Sequence, residues 1–587
     1  DLSDIIIEQV DPLFGFSRYA ERLGRSASTF NELNRALNEP LTFIDEILIE
    51  ILEEKLNIHQ PNLVAISAPF PGNLYSAFRC AQFIKSKFKS IKIALGGGFA
   101  NTELRSLSET KVFDYFDFIT LDDGEAPILN LIEHIEGIRP LEKLRRTFTL
   151  VNNQVQYINN SETKDFSQKD VGTPDYSDFN LNDYLSVIEI ANPMHRLWSD
   201  GRWNKLTLAH GCYWGKCTFC DISLDYIKVY EATTAKVIVD RIETIIQQTG
   251  NIGFHFVDEA APPAMMKEVA LEIIRRNINV VWWTNIRFEK SFSSDLCKLL
   301  AFSGCIAVSG GLEVASDRLL KLIDKGVTVE QVAKVADNFT QAGIMVHAYL
   351  MYGFPSQTAQ ETIDSLEIVR QLVGNEIIQS GFWHQFAMTA HSPVGLNPEK
   401  FSVSSKTLEV GSFANNDLEH EDRIGCNHEL FSDGLKKSLF NYMHGIGFEL
   451  PLSNWFDFPI PKTTIHPDYI LDVLEKSPAL VLKDTSKLIW LENTPEISFY
   501  EVKKKGKVNK MAKLNCSTKK ENIAIKVNEK LGIWLISIID KIQLNNNVSF
   551  TFQTFEKEFN DTNLGNFEQF IQSESFGLLR ESGLLIL

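Results

Sequence analysis

Residues 206–220 read Leu-Thr-Leu-Ala-His210-Gly211-Cys212-Tyr213-Trp214-Gly215-Lys216-Cys217-Thr218-Phe219-Cys220, a strand-like run that opens directly into three cysteines within nine residues. The downstream sequence repeats one plan. A helical pattern near 234–248 leads to GFHFVD (253–258), a helix near 264–276 to VVWWTN (280–285), and a helix near 293–302 to IAVSGG (306–311). A helix near 317–324 stops at Gly326, and EQVAKVADNFTQAG places Val332, Val335, Ala336 and Phe339 on one face before IMVHAYLMYG (344–353). About six β/α units in this span predict a partial TIM-type (β/α)6 barrel, because parallel strands with crossover helices must curl or cover both faces. In such barrels chemistry gathers at the carboxyl ends of the strands, where the cysteine loop lies.

Upstream, PNLVAISA (61–68) and IKIAL (91–95) flank a helical stretch, and the second run ends in Gly96, Gly97 and Gly98. FDFITL then precedes Asp122-Asp123-Gly124-Glu125 and a helix from about Pro127 to Ile135. This alternation predicts an open parallel, Rossmann-like sheet. The expected layout is an α/β domain over 1–145, a polar connector over 146–195, the barrel over 196–400, an aromatic-rich extension packed on the barrel over 401–500, and a smaller α+β C-terminal region over 501–587. The stretch 501–530 holds ten Lys against three Glu and reads as a solvated connector. Beyond it, the apolar spacing of Ile533, Leu535, Ile538, Ile539 and Ile542 and the ending FGLLRESGLLIL suggest helix, glycine stop and strand, in a winged-helix-like module.

Composition narrows the function classes. The 587 residues carry 58 Lys+Arg against 76 Asp+Glu, a formal charge of −18, which disfavours nucleic acid and anionic membrane as partners. No apolar run is long enough for a bilayer span, so a cytoplasmic protein is expected. Eight cysteines are too few for a disulfide scaffold, and Cys80, Cys297, Cys305, Cys426 and Cys516 read as buried or incidental thiols. The other three can ligate three irons of a cubane and leave the fourth iron open. A structural zinc site completed by His210 is the competing reading, although zinc loops usually bring a second, distant pair.

In these residues the chain resembles the radical S-adenosylmethionine (radical SAM) enzymes. The resemblance implies a [4Fe-4S] cluster on Cys212, Cys217 and Cys220, with S-adenosylmethionine chelated at the open iron and cleaved to a 5′-deoxyadenosyl radical. The family's usual spacing is three residues then two; here it is four then two. Phe219 matches the aromatic position near the adenine. Asp258 and Glu259, ending the second strand, are candidates to face the amino group, with a helix N-cap as the plain alternative. Asn285 and Arg287 are candidates for the carboxylate, which Arg can meet bidentately. Ser309, Glu313 and Arg318, in the segment resembling the family's Gly-Leu-Glu-Ser type, are candidates for the methionine or ribose. Gly353 and Pro355 read as structural. His347, His384, His391 and Tyr352 are further candidates at the barrel mouth, and of Trp282 and Trp283 at most one can face the interior.

The N-terminal region resembles the cobalamin-binding domain that precedes this barrel in one branch, through PNLVAISAPF with Ser67, ALGGGFANTEL with Gly96, Gly97 and Gly98, and the DDGEAP turn. It implies a cobalamin cofactor. Neither His59 nor His134 lies in an Asp-x-His-x-x-Gly motif, so no protein histidine on cobalt is expected. The implied activity is C-methylation of an unactivated carbon through methylcobalamin, on a peptide or other natural-product substrate, with an electron donor such as flavodoxin or ferredoxin. The peptide reading comes from the likeness of GCYWGKCTFCD and FAMTAHSPVG to enzymes that mature ribosomally made peptides. Alternatives are a non-methylating cyclisation or ring rearrangement, and a zinc- or cluster-stabilised binding protein without catalysis. An RNA methylthiotransferase is set aside, since only Cys80 is present in the first domain.

Overall fold

The computed structural model describes residues 2–15, 19–24, 27–183, 203–406, 411–476, 482–504, 507–518, 521–544, 546 and 549–587. In the first domain, β1 (Leu63–Ser67), β2 (Lys92–Gly96) and β3 (Phe118–Thr120) run parallel in that order. The helix Pro71–Lys87 begins on Pro71, whose fixed φ suits a first turn, and buries Ala77, Phe78, Ala81 and Ile84.

The sheet then continues into the span expected to be a connector. β4 (Thr147–Val151) pairs antiparallel with β3, and β5 (Gln154–Ile158) with β4. Their turn, Asn152-Asn153, has φ of 50° and 58° at its two central residues, the left-handed pair that a two-residue hairpin prefers and that Asn tolerates. Only the remainder of 146–195 lacks longer elements, and its residues 184–195 lie outside those described.

The second unit is a six-stranded, all-parallel sheet: β6 (Asn204–Leu206), β7 (Gly253–Phe256), β8 (Val281–Ile286), β9 (Cys305–Glu313), β10 (Met345–Tyr352) and β11 (Ser380–Gln385), each beside its chain neighbour. This is the strand order expected of a (β/α)6 arrangement. β11, the run SGFWHQ, has no counterpart among the strands named from the sequence. Alternation along β8 separates the two tryptophans: Trp282 joins the core under the helices, and Trp283 stacks on His255 on the other face, 3.5 Å between ring centroids.

The extension is shared between both units. Phe431, Leu435, Leu439, Tyr442, Phe456, Ile470 and Val473 enter the core of the six-stranded sheet domain. Phe413 goes the other way, fully buried in the first domain against Phe30, Phe78 and Phe99.

The C-terminal module begins before 501, because β12 (Leu488–Trp490) pairs with β16 (Leu584–Ile586) around one core. The lysine-rich stretch is not a connector. It lies within a three-stranded antiparallel sheet of β13 (Glu496–Lys504), β14 (Lys507–Ser517) and β15 (Asn522–Asn528). Charge masks the alternation: Ala512, Leu514 and Cys516 are buried between solvent-facing neighbours, as are Ile525 and Val527 about Lys526. Helices Glu529–Lys541, Phe552–Asp561, Phe567–Ile571 and Glu574–Glu581 complete the module. No helix among the described residues is long and apolar enough to cross a membrane.

Candidate active site

The cysteine loop leaves the carboxyl end of β6 and is pinned at its first turn. Gly211 has φ +68°, and a Cβ there would lie 2.3 Å from the Val229 carbonyl oxygen, so only glycine fits. The Cys212 amide donates to Ile227 O at 2.9 Å. Two straps then hold the loop. On one side Thr218 N donates to Ile323 O at 2.8 Å and Trp214 Nε1 to Asp324 O at 2.7 Å. On the other, within FAMTAHSPVG, Val394 N donates to Thr218 O at 3.1 Å, Ser223 Oγ to His391 O at 2.8 Å, and Thr389 Oγ1 to Asp221.

Cys212, Cys217, Phe219, Cys220, Glu259, Asn285, Arg287, Ser309 and Glu313 line one cavity of about 320 Å³, joined by Lys216, Lys325, Tyr349 and His384. The Cys220 thiol bonds to Cys217 and, with Lys325 and Arg287 nearby, draws the Cys217 thiol down to about 7, whereas the same contact and burial push Cys220 up. Glu259 stands open to the cavity, whose wall still desolvates its carboxyl enough to raise it. Asn285 donates through Nδ2 to Asp258 O at 3.0 Å, and its buried Oδ1 has no protein partner, which suits a ligand's N–H or O–H. Glu313 sits at φ +61° at a register shift in β9, an uncommon conformation for a side-chain-bearing residue and one that clusters at functional sites. Its carboxylate pairs with Lys325 Nζ at 2.6 Å.

Two candidates lie elsewhere. Asp258 is 1% exposed and faces inward, accepting from Leu208 N at 2.9 Å and Ala209 N at 2.8 Å; burial raises its carboxyl to about 7 against those bonds. It positions the chain entering the cysteine loop and offers nothing to the cavity. Arg318 is on the outer surface, bound to Glu361 at 2.7 Å and to Ser356. Of the others, His384 reaches the cavity. His347 is buried with Nδ1 2.8 Å from Ser380 Oγ, Tyr352 is packed at 1% exposure, and His391 meets the first domain at Thr102 O, 3.2 Å away. Lys325 and Tyr349 escape a reading of the sequence alone. For Lys325 the available signal is its place before the helix-stop glycine Gly326, which by itself indicates only where the chain turns.

The donor set fits a cubane. His210 is not free to complete a zinc site: its Nδ1 lies 2.7 Å from Val229 O and its Nε2 3.0 Å from Asp123 Oδ1, and the Asp123 bond raises the imidazole to about 9. Among the described residues no three His, Cys, Asp or Glu side chains converge on one ion, and a cubane does not require it, since each thiolate takes a different iron. The His210–Asp123 contact also gives DDGEAP a role as the joint between the two units.

The glycines expected to form a cobalamin shelf serve another purpose. A Cβ on Gly97 would lie 2.8 Å from Ser67 Oγ and 2.9 Å from Ala68 N, and one on Gly98 2.7 Å from Pro69 O. The missing side chains at Gly97 and Gly98 let the loops after β1 and β2 interlock. His59 closes the helix Phe43–His59, and His134 lies with Nδ1 2.9 Å from Arg139 O.

A half-buried carboxyl also joins the units. Glu103 accepts from Asn416 N at 3.1 Å, and burial, reinforced by Asp417, raises it to about 7. With the folded pKa above the ordinary carboxylate value, its contribution to stability is present at low pH and is lost as pH rises through 7. From about pH 5 to about pH 8 the wild type should therefore lose thermal stability relative to Glu103→Gln. Parallel melting curves for the two that keep a constant offset would refute this.

Residues 206–369 match the model of the radical SAM superfamily. The anaerobic magnesium-protoporphyrin IX monomethyl ester cyclase of Rubrivivax gelatinosus is 24% identical over 56% of this chain and 58% of its own length. An uncharacterized methyltransferase of Pyrococcus horikoshii is 22% identical over 57% of this chain and 68% of its own. The chain thus spans little more than half of the cyclase. Among solved structures, the radical S-adenosylmethionine methyltransferase TsrM of Kitasatospora setae, with tryptophan and a SAM analogue, aligns at a TM-score of 0.50 and 16% identity over 74% of this chain and 87% of that one. The same enzyme has been solved with cobalamin and a [4Fe-4S] cluster, at a TM-score of 0.49, 16% identity, and 68% and 83% coverage. With the three cysteines at the carboxyl end of the first strand of a sequential parallel sheet, residues 206–369 carry a radical SAM domain, and an open α/β domain lies ahead of it in the chain.

Proposed function

We propose that this protein is a cobalamin-dependent radical SAM enzyme that methylates an unactivated carbon of a peptide or natural-product substrate. The observation that carries the radical chemistry is the single cavity in which Cys212, Cys217 and Cys220 meet Asn285, Ser309 and Glu313. Cys212, Cys217 and Cys220 would hold the cluster. Loaded with cluster and S-adenosylmethionine, such a site supplies a 5′-deoxyadenosyl radical. The protein's own share is to bind and orient: Phe219 offers an apolar wall, Asn285 an unpaired acceptor, and Glu259 an anion for an ammonium group. The cobalamin and methylation parts rest on domain order and on the names of relatives, and the (β/α)6 arrangement is proposed to be the partial barrel typical of the family. The C-terminal module is a natural place to hold a peptide, and flavodoxin or ferredoxin would suit as electron donor.

The cyclase relative favours a second reading, radical cyclisation without methyl transfer. One anaerobic experiment separates them. After reconstitution with iron, sulfide and cobalamin, reductant and S-adenosylmethionine are added, and the nucleoside products are quantified. Methylation predicts S-adenosylhomocysteine together with 5′-deoxyadenosine, and cyclisation predicts 5′-deoxyadenosine alone. Zinc in place of iron with sulfide would instead support the binding-protein alternative.

A further inference from the structure

Cys217 is 6% exposed, and two cations are buried beside it. Arg287 is 3% exposed, and its Nη1 lies 3.9 Å from Cys217 Sγ, within reach of an N–H···S bond. It has little freedom to do anything else. Its Nε donates to Glu289 Oε1 at 2.8 Å, its Nη2 donates to Lys325 O, and its guanidinium carbon stacks 4.2 Å above the Trp214 ring. That ring is fixed in turn by the bond from Nε1 to Asp324 O and by Gly326, where a Cβ would lie 2.3 Å from the indole and φ is +75°. Every bond in this scaffold directs Arg287 at the cysteine sulfur. Lys325, the second cation, is engaged by Glu313.

A bidentate carboxylate clamp needs two parallel N–H donors free on one guanidinium edge. Here the Nε edge and Nη2 are already taken, which leaves Nη1 pointing at sulfur. Hydrogen bonds to the sulfurs are one of the determinants of an iron–sulfur cluster's potential, because donation withdraws electron density and favours the reduced form. We propose that Arg287 is a positioning residue that donates to the Cys217 sulfur and raises the reduction potential of the cluster, rather than one that binds the carboxylate of S-adenosylmethionine. The proposal rests on the cluster assignment above.

The test is a redox titration of the anaerobically reconstituted full-length protein, followed by the electron paramagnetic resonance of the reduced cluster, for wild type, Arg287→Met and Arg287→Lys. Iron and sulfide are counted first. A wild type that takes up no iron and sulfide defeats the functional reading itself, and a loaded wild type isolates the proposal. Loss of the N–H···S bond is expected to disfavour the reduced form about tenfold in Arg287→Met, a shift of about 59 mV to more negative potential for a one-electron couple. Binding of S-adenosylmethionine to the oxidised cluster should be unchanged. An unshifted potential with weakened S-adenosylmethionine binding would overturn the proposal in favour of the carboxylate clamp. Should Arg287→Met fail to hold a cluster, Arg287→Lys decides alone. Its ammonium keeps the charge and can still donate to sulfur but cannot clamp a carboxylate bidentately, so a potential near wild type with unchanged S-adenosylmethionine binding supports the proposal, and weakened binding at an unchanged potential overturns it.

Discussion

Cys217→Ala is expected to abolish 5′-deoxyadenosine formation in anaerobically reconstituted protein, with bound iron falling well below four per chain. Altering groups that merely support metal ligands costs about 10- to 100-fold, so loss of a ligand itself should exceed about a hundredfold. Cys217 has the most closely prepared surroundings of the three. It is buried, its thiol is drawn toward the thiolate by the bond from Cys220 and by Lys325 and Arg287, and it meets Arg287 directly. Without its sulfur, Arg287 and Lys325 keep their carboxylate partners Glu289 and Glu313, but Arg287 Nη1 loses its acceptor. Cys212→Ala and Cys220→Ala should lose the product as well. Cys516→Ala provides the contrast: Cys516 is buried in the separate C-terminal core, and its removal should leave iron content unchanged. Full product from Cys217→Ala would remove the cluster from this loop.

The elements legible in the sequence are those whose burial is decided locally. β7, β8, β9 and β10 match runs of apolar residues bounded by glycine or acidic turns, because strands covered on both faces must be apolar along their whole length. The cysteine loop is legible because its spacing is itself the chemistry. Three kinds of feature are hidden. The β4–β5 hairpin carries the alternating, half-polar pattern of a sheet edge, and its Asn-Asn turn is a weaker signal than Asn-Gly. The lysines of β13 to β15 occupy the solvent face of a sheet, so net charge obscures a two-residue period. Long-range partnerships have no local trace at all. Nothing around Phe413 indicates that it leaves its own segment for the first domain, and nothing around Arg318 distinguishes its outer pairing with Glu361 from a place in the cavity. Asp258 and Glu259 show the limit most sharply, since both lie in the loop just after β7, where Asp258 turns inward onto the Leu208 and Ala209 amides and only Glu259 lines the cavity.

A buried charge pair ties the C-terminal module to the domain of the six-stranded sheet, alongside the apolar contact of Leu585, and its removal is expected to lower stability strongly. Asp295, 2% exposed near the start of the helix Ser294–Phe302, receives Nη2 of Arg580 on both carboxylate oxygens and the Ile586 amide at 3.1 Å. Arg580 also donates through Nη1 to Leu584 O at 3.0 Å, so one guanidinium bridges the helix Glu574–Glu581, the last strand and the helix Ser294–Phe302. In Arg580→Leu the Asp295 carboxylate stays buried with only an amide for company. Breaking a buried pair from one side costs about 3–5 kcal/mol, most of it from the orphaned charge rather than from the lost attraction. The penalty falls on docking, because the module's own core from Leu488 to Ile586 is untouched. Arg580→Leu should therefore accelerate amide exchange across Leu584–Ile586 and along Ser294–Phe302, with little change in β7 or β8. The double variant Asp295→Leu/Arg580→Leu removes the orphan and should recover most of the loss, since apolar replacement of both partners is often neutral. If the single variant exchanges at the wild-type rate, the interface is held by its apolar contacts and the charge pair is incidental. If the double variant is no better than the single, the Ile586 amide, deprived of its acceptor, is the group that decides.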